Sequence, residues 1–119
     1  MKKRILLPVI AFAIVCSLQA CKTGKVIVNR EVQTEKDGPM LLGTQTVGQF
    51  LKAPYSDWYN EEYKEYPLDE ASVQELRRQK LKSYQIIVFL GTWCGDSHRE
   101  FPRLMKILNA TGVPESKLT

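Results

Sequence analysis

The chain has 119 residues, 44% of them hydrophobic, and a formal net charge of +4. Its first 20 residues contain three basic residues and no acidic residue, so residues 21–119 carry a net charge of only +1. Those residues contain no basic patch of the kind that binds nucleic acid, and we expect no nucleic-acid partner.

The N-terminal segment has the pattern of an export signal. Basic residues at positions 2–4 precede an apolar run from Ile5 to Leu18, and the small residue Ala20 precedes Cys21. This is the order of a secretory signal, and the run is shorter than the about 20 residues that a transmembrane helix needs. The string LQAC at positions 18–21 resembles the lipobox of bacterial lipoproteins. That resemblance implies cleavage before Cys21 and attachment of lipid to its thiol.

A lipid on Cys21 would anchor the chain to a membrane of the cell envelope, facing the periplasm. The alternatives are an uncleaved membrane anchor and ordinary secretion. Three regions are predicted: a signal peptide at 1–20, a lipid-anchored polar tether at 21–38, and a compact domain at 39–119. The tether contains one weak strand, around Val26 to Val32, and the pair Gly38-Pro39 is typical of a turn.

Aromatic side chains are dense between positions 50 and 66. They are Phe50, Tyr55, Trp58, Tyr59, Tyr63 and Tyr66. Their spacing places several of them on one face of a helix, which predicts a buried helix face. The alternative is an exposed aromatic platform for an unfolded peptide or a glycan.

The rest of the chain alternates between helical and extended patterns. A helix is predicted from an Asp69 cap to about Lys82, with Val73, Leu76 and Leu81 on its inner face. Residues 84–90 (YQIIVFL) end in five consecutive apolar residues, which predicts a central strand buried on both faces. Apolar residues at 101, 104, 105 and 108 then predict an amphipathic helix that ends before Gly112. Helix, strand, loop and helix in this order indicate an α/β domain.

Cys94 is the cysteine that remains free if the signal is removed and Cys21 is acylated. It has no partner in the chain for a structural disulfide. Its place between the predicted strand and the predicted helix puts it at a helix N-terminus, where backbone N–H groups and the helix dipole favour a thiolate. The pattern therefore predicts a reactive thiol, with an inert buried cysteine as the alternative.

Residues 91–98 (GTWCGDSH) surround this thiol. The predicted strand, the Trp before Cys94, the Gly after it, and a helix with Pro102 eight residues further on together resemble the thioredoxin family. The resemblance implies that residues 39–119 form the N-terminal half of a thioredoxin-like fold, with helix, buried strand, CxxS loop and helix in order. Trp93 would shield the sulfur and offer an apolar surface to a substrate.

The motif departs from dithiol members of the family at Ser97, which stands where they have a second cysteine. Ser97 cannot resolve a mixed disulfide; it either hydrogen-bonds the Cys94 thiolate or caps the helix with Glu100 in a capping box. His98, the only histidine in the chain, is the candidate for proton transfer or for pairing with the thiolate, or it is simply exposed. The negative charge of Asp96 opposes ionisation of the Cys94 thiol. The same charge is favourable at the N-terminus of a helix.

The resemblance implies a membrane-tethered protein that acts on protein or small-molecule thiols and disulfides. Cys94 would be the attacking thiolate, and an external reductant thiol would release the mixed disulfide. The alternatives are a non-catalytic thioredoxin-like binding module and, from the C-G-x-S string, a monothiol iron–sulfur carrier. We expect no cofactor and no metal, because one cysteine and one histidine are too few ligands for a structural zinc.

Only 22 residues follow Ser97. The family fold continues with a strand, a crossover helix, a cis-proline loop, two antiparallel strands and a last helix. We therefore expect an incomplete sheet and a truncated chain, which on its own would be marginally stable and prone to aggregation.

Overall fold

The computed structural model describes residues 26–119, so the predicted signal peptide and the lipid attachment site at Cys21 lie outside the described residues. The described part is mixed α/β. It contains β1 (Arg30–Thr34), β2 (Gly38–Leu42), α1 (Tyr55–Glu65), α2 (Glu70–Arg78) and α3 (Gly95–Thr111), with short 3-10 helices at Val47–Gln49, Leu81–Ser83 and Glu115–Lys117. None of the helices within residues 26–119 is long and apolar enough to cross a membrane.

Strands β1 and β2 form an antiparallel hairpin in which Val32 lies opposite Met40. The Thr34 hydroxyl closes the turn, because it donates to the Gly38 carbonyl and accepts from the Asp37 N–H. Gly38 has a φ of +70°, which favours glycine at this position. The predicted boundary between residues 38 and 39 therefore falls inside the hairpin. The strand predicted around Val26 to Val32 is present but shifted, since β1 begins at Arg30 and ends at Thr34.

The aromatic residues of the α1 region form the centre of the core. Phe50, Tyr55 and Tyr59 are all buried, and the Phe50 ring centroid lies 4.7 Å from that of Phe101 on α3. Burial raises the pKa of Tyr59 to about 12, because the phenolate would lose its hydration. The prediction of a buried helix face is confirmed, and these side chains are not available as an exposed platform.

Helix α2 begins as predicted and ends earlier. The Asp69 carboxylate accepts a hydrogen bond from the Ser72 N–H, which confirms the cap, and Val73 is buried. The helix stops at Arg78 instead of continuing to Lys82, because Gln79 takes an extended conformation (ψ 151°). This turn brings Leu81 against the core through a separate 3-10 helix.

Residues 84–90, here called the extended segment, form no regular strand among the described residues and make only an isolated parallel bridge at Ile86, so the prediction of a central strand buried on both faces is wrong. Ile86, Val88 and Leu90 pack against the core, whereas Ile87 is 60% exposed and Phe89 is 91% exposed. Alternate side chains of an extended chain point to opposite faces, and among the described residues only one face is covered.

The extended segment makes one parallel contact. The Ile86 N–H donates to the Lys117 carbonyl (2.7 Å), and the Thr119 N–H donates to the Ile86 carbonyl (2.9 Å). Helix α3 therefore connects two extended stretches that run side by side in the same direction.

Helix α3 is longer than its apolar spacing predicts. It starts at Gly95, directly after Cys94, and ends before Gly112, as expected. Gly112 adopts the left-handed conformation (φ 75°) that closes many helices. Phe101, Pro102 and Met105 are buried, and Met105 is only 1% exposed, so α3 is the most deeply packed element and gives Cys94 a rigid support.

Candidate functional site

Cys94 occupies the N-cap position of α3, at the point where the extended segment turns into the helix. A tight turn precedes it, because the Cys94 N–H donates to the Gly91 carbonyl (3.0 Å). Its own carbonyl accepts from the His98 N–H (3.0 Å), the first hydrogen bond of the helix. The thiol is free and half-buried. The predicted placement of Cys94 at a helix N-terminus is confirmed.

The first turn of α3 holds the pKa of the Cys94 thiol below its ordinary value. The largest cause is a hydrogen bond from the Ser97 backbone N–H, followed by one from the Asp96 N–H and one from the Ser97 side chain. Desolvation of the sulfur and the negative charge of Asp96 act in the opposite direction. The N–H groups at the start of α3 therefore lower the pKa of the Cys94 thiol by more than the Asp96 carboxylate raises it.

Ser97 lies within the first turn of α3 and does not cap it. Because the helix starts at Gly95, its N-cap is Cys94, and the predicted capping box with Glu100 is wrong. The Ser97 hydroxyl oxygen instead accepts from the Gly91 N–H (3.2 Å). With that lone pair used, the hydroxyl proton is free to donate to the Cys94 sulfur, which agrees with the side-chain contribution to the lowered pKa.

His98 is half-buried and faces the loop backbone. Its Nε2 atom lies 2.6 Å from the Thr92 carbonyl oxygen. Its ring stacks on the Trp58 indole of α1, with centroids 4.4 Å apart and planes 9° from parallel. The alternative of a freely exposed histidine does not describe this arrangement. A role in proton transfer to or from Cys94 stays a prediction.

Trp93 is 57% exposed, and its indole lies over Gly91. A Cβ atom at Gly91 would come within 2.9 Å of the Trp93 ring, so this close approach requires glycine. Trp93 also borders an open, mainly apolar groove of about 650 Å³ between the loop after β2 and the extended segment. Trp93 therefore presents an exposed apolar surface, and its predicted shielding of the Cys94 sulfur and contact with a substrate stay predictions.

Two contributors to the site were missed by sequence reasoning, Thr92 and Trp58. Thr92 is buried, and its hydroxyl oxygen accepts from the Leu41 N–H of β2 (3.2 Å). These partners are 51 residues apart, and Trp58 is 40 residues from His98, so no local pattern could reveal either contact. The only sequence feature that could have drawn attention to Thr92 was its position inside the motif at residues 91–98.

The charged residues at the start of α3 are exposed and form a local network. Arg99 pairs with Asp96 (3.1 Å) and with Glu100 (2.6 Å). The Arg99 guanidinium partly offsets the Asp96 charge that opposes ionisation of Cys94. Within residues 26–119, no group of three or more His, Cys, Asp or Glu side chains could hold a metal ion.

Comparison with family models, with curated proteins and with solved structures finds no match for this chain. The function is therefore inferred from the geometry around Cys94 and from the motif that surrounds it.

Proposed function

We propose that this chain is a membrane-tethered, thioredoxin-like protein that acts on thiols and disulfides in the periplasm through the Cys94 thiolate. The observation that supports this most strongly is the free Cys94 thiol at the N-cap of α3, where backbone N–H groups lower its pKa. A thiolate, and not a thiol, is the nucleophile in disulfide exchange, so this placement suits an attacking cysteine.

The reaction has two exchange steps. In the first, the Cys94 thiolate attacks one sulfur of a substrate disulfide; a new S–S bond forms, the substrate S–S bond breaks, and the second substrate sulfur leaves as a thiolate that takes a proton from water. In the second, an external thiolate attacks the substrate sulfur of the mixed disulfide; an S–S bond forms between the external thiol and the substrate, the bond to Cys94 breaks, and Cys94 leaves as a thiolate. The external thiol is required because Ser97 has no sulfur with which to displace the substrate.

The thioredoxin-like fold is part of the proposal. It is supported by the extended segment at 84–90, the turn at residues 91–94, and a long helix that contains Pro102. The isolated parallel bridge between Ile86 and Leu118, which follows that helix in the chain, also supports it. A lipid on Cys21 would tether this unit, and residues 26–28, which have no regular structure, would connect the anchor to β1.

A mixed-disulfide trap tests the proposed function. The full chain and its Cys94→Ser variant are expressed in cells, thiols are blocked with N-ethylmaleimide after acid quenching, and adducts are separated without reductant. Positions 16 and 21 are the same in both proteins before and after any cleavage, so the two differ only at the proposed nucleophile. We expect adducts with other envelope proteins that disappear on reduction and are absent from Cys94→Ser. The same adducts in both proteins, or none in either, would contradict the proposal.

The exposed Trp93 indole beside the apolar groove supports a second candidate, a binding module that holds a partner without covalent chemistry. Non-covalent capture of a partner should survive Cys94→Ser and be lost in Trp93→Ala. The acid-quenched trap detects only covalent adducts, so a pull-down from unquenched cell extract with both variants, run beside the trap, separates the two functions.

A further inference from the structure

Two consecutive side chains in the first turn of α3 reach back to the loop that precedes Cys94. Ser97 accepts from the Gly91 N–H, and His98 Nε2 lies 2.6 Å from the Thr92 carbonyl oxygen. Each contact spans six residues, so the helix holds the peptide group that precedes Gly91 and the peptide group that joins Thr92 to Trp93. The geometry of this loop decides where the Cys94 sulfur lies relative to the start of the helix.

The contact between His98 and the Thr92 carbonyl connects this loop to α1, because the imidazole also packs on Trp58. A carbonyl oxygen only accepts hydrogen bonds, so His98 must present a protonated Nε2 toward it. The flat face of the same imidazole packs on Trp58, whose indole in turn lies edge-on to the buried Phe50 ring (6.1 Å between centroids). His98 is thus fixed in orientation by α1 while it binds the loop.

Thr92 is restrained from its other side by β2. Its buried hydroxyl accepts from the Leu41 N–H, while its carbonyl binds His98. Without the imidazole, the carbonyl would lose its partner in a half-buried position, where an unmade hydrogen bond is costly. The peptide group between Thr92 and Trp93 would then lose its contact with the helix, and we expect a shift of this peptide to change the position of Cys94.

We infer that His98 is a positioning residue for the Cys94 thiolate. By holding the Thr92 carbonyl against the Trp58-supported imidazole, it keeps the Cys94 sulfur within hydrogen-bonding distance of the N–H groups of α3. This inference requires Cys94 to be the ionised nucleophile of the proposed function, but it does not depend on any particular substrate.

The test measures the rate constant for alkylation of Cys94 by iodoacetamide between pH 5 and pH 10. The full chain is used, and the Cys94 peptide is followed by mass spectrometry so that Cys16 and Cys21 do not interfere. His98→Leu removes the hydrogen bond and keeps an apolar side chain against Trp58. We expect its rate constant at pH 7 to fall roughly threefold to tenfold, as the loss of one hydrogen bond predicts. At pH 10 the Cys94 thiol is largely ionised in both the wild-type chain and His98→Leu, so their alkylation rate constants should converge.

Two controls separate positioning from a general loss of stability. His98→Gln places an amide N–H near the position of Nε2, and we expect it to keep the wild-type rate constant within about twofold. Val73→Ala opens the core at α2, away from the loop; it should lower the thermal unfolding midpoint and leave the rate constant unchanged. Trp58→Phe narrows the surface under the imidazole and should give an intermediate fall, which provides a second variant if His98→Leu does not fold.

The outcomes distinguish this inference from the proposed function. If wild-type Cys94 titrates like an ordinary cysteine, the proposed function fails. If wild-type Cys94 is activated and His98→Leu matches it at every pH, only the positioning role is overturned. A rate constant in His98→Gln or Val73→Ala as low as in His98→Leu would also overturn it, because the effect would then not follow the hydrogen bond to Thr92.

Discussion

Replacing Ser97 by cysteine is expected to abolish the accumulation of mixed disulfides. Ser97 lies three residues after Cys94 in the first turn of α3, and its side chain is among the groups that lower the pKa of the Cys94 thiol, so we expect a thiol introduced at this position to lie within reach of the sulfur. When Cys94 is linked to a substrate, the introduced thiolate can attack the Cys94 sulfur, form an intramolecular disulfide and expel the substrate as a thiolate. The reaction would then no longer need an external thiol for release.

The same trap that detects adducts of the wild-type chain measures this effect. We expect Ser97→Cys to show adducts near the background of Cys94→Ser, together with an intramolecular disulfide that mass spectrometry of the unreduced protein assigns to Cys94. Ser97→Ala is the matched control: it removes the hydroxyl without adding sulfur, so adducts should form more slowly and still accumulate. Adducts of Ser97→Cys that persist at the wild-type level would show that position 97 does not face the sulfur.

Replacing Phe50 by alanine is expected to lower the free energy of unfolding by about 3–5 kcal/mol. Phe50 is only 4% exposed, and its ring contacts those of Tyr55, Trp58, Tyr59 and Phe101. Truncation removes this packing and leaves a cavity between α1 and α3. Because small domains are stable by only about 5–15 kcal/mol, the loss would remove a large part of the total.

Phe89→Ala is the matched control, because it makes the same chemical change at a side chain that is 91% exposed. We expect a change in the free energy of unfolding within about 0.5 kcal/mol. Urea unfolding of the full chain, followed by circular dichroism, measures both variants. An equal loss of stability in the two would mean that Phe89 is covered in the folded protein, and the one-sided burial of residues 84–90 would be wrong.

Sequence reasoning succeeded where the decisive interactions are local. The Asp69 cap depends on an N–H only three residues away, and the buried face of α3 follows from apolar spacing along a single helix. Cys94 was located correctly for the same reason, since an apolar run, a glycine and a helix pattern meet at that point. Such features need no knowledge of which distant segments pack together.

The errors arose where distant segments decide the outcome. The hairpin pairs residues 30–34 with 38–42, and its position depends on how it packs near Thr92, which lies 51 residues from Leu41. The two-sided burial predicted for residues 84–90 assumed neighbours that residues 26–119 do not supply. The role of His98 could not be read from the motif either, because the Trp58 ring that orients it belongs to another helix.

The most direct test of the central claim is the pH dependence of Cys94 alkylation in the wild-type chain. The rate constant with iodoacetamide is measured on the Cys94 peptide, once for the folded protein and once in urea. In the unfolded chain, the midpoint should lie near the free-cysteine pKa of about 8.5. Because the N–H groups of α3 stabilise the thiolate, we predict a lower midpoint for the folded protein and faster alkylation at neutral pH. A midpoint equal to or above that of the unfolded chain would contradict the account.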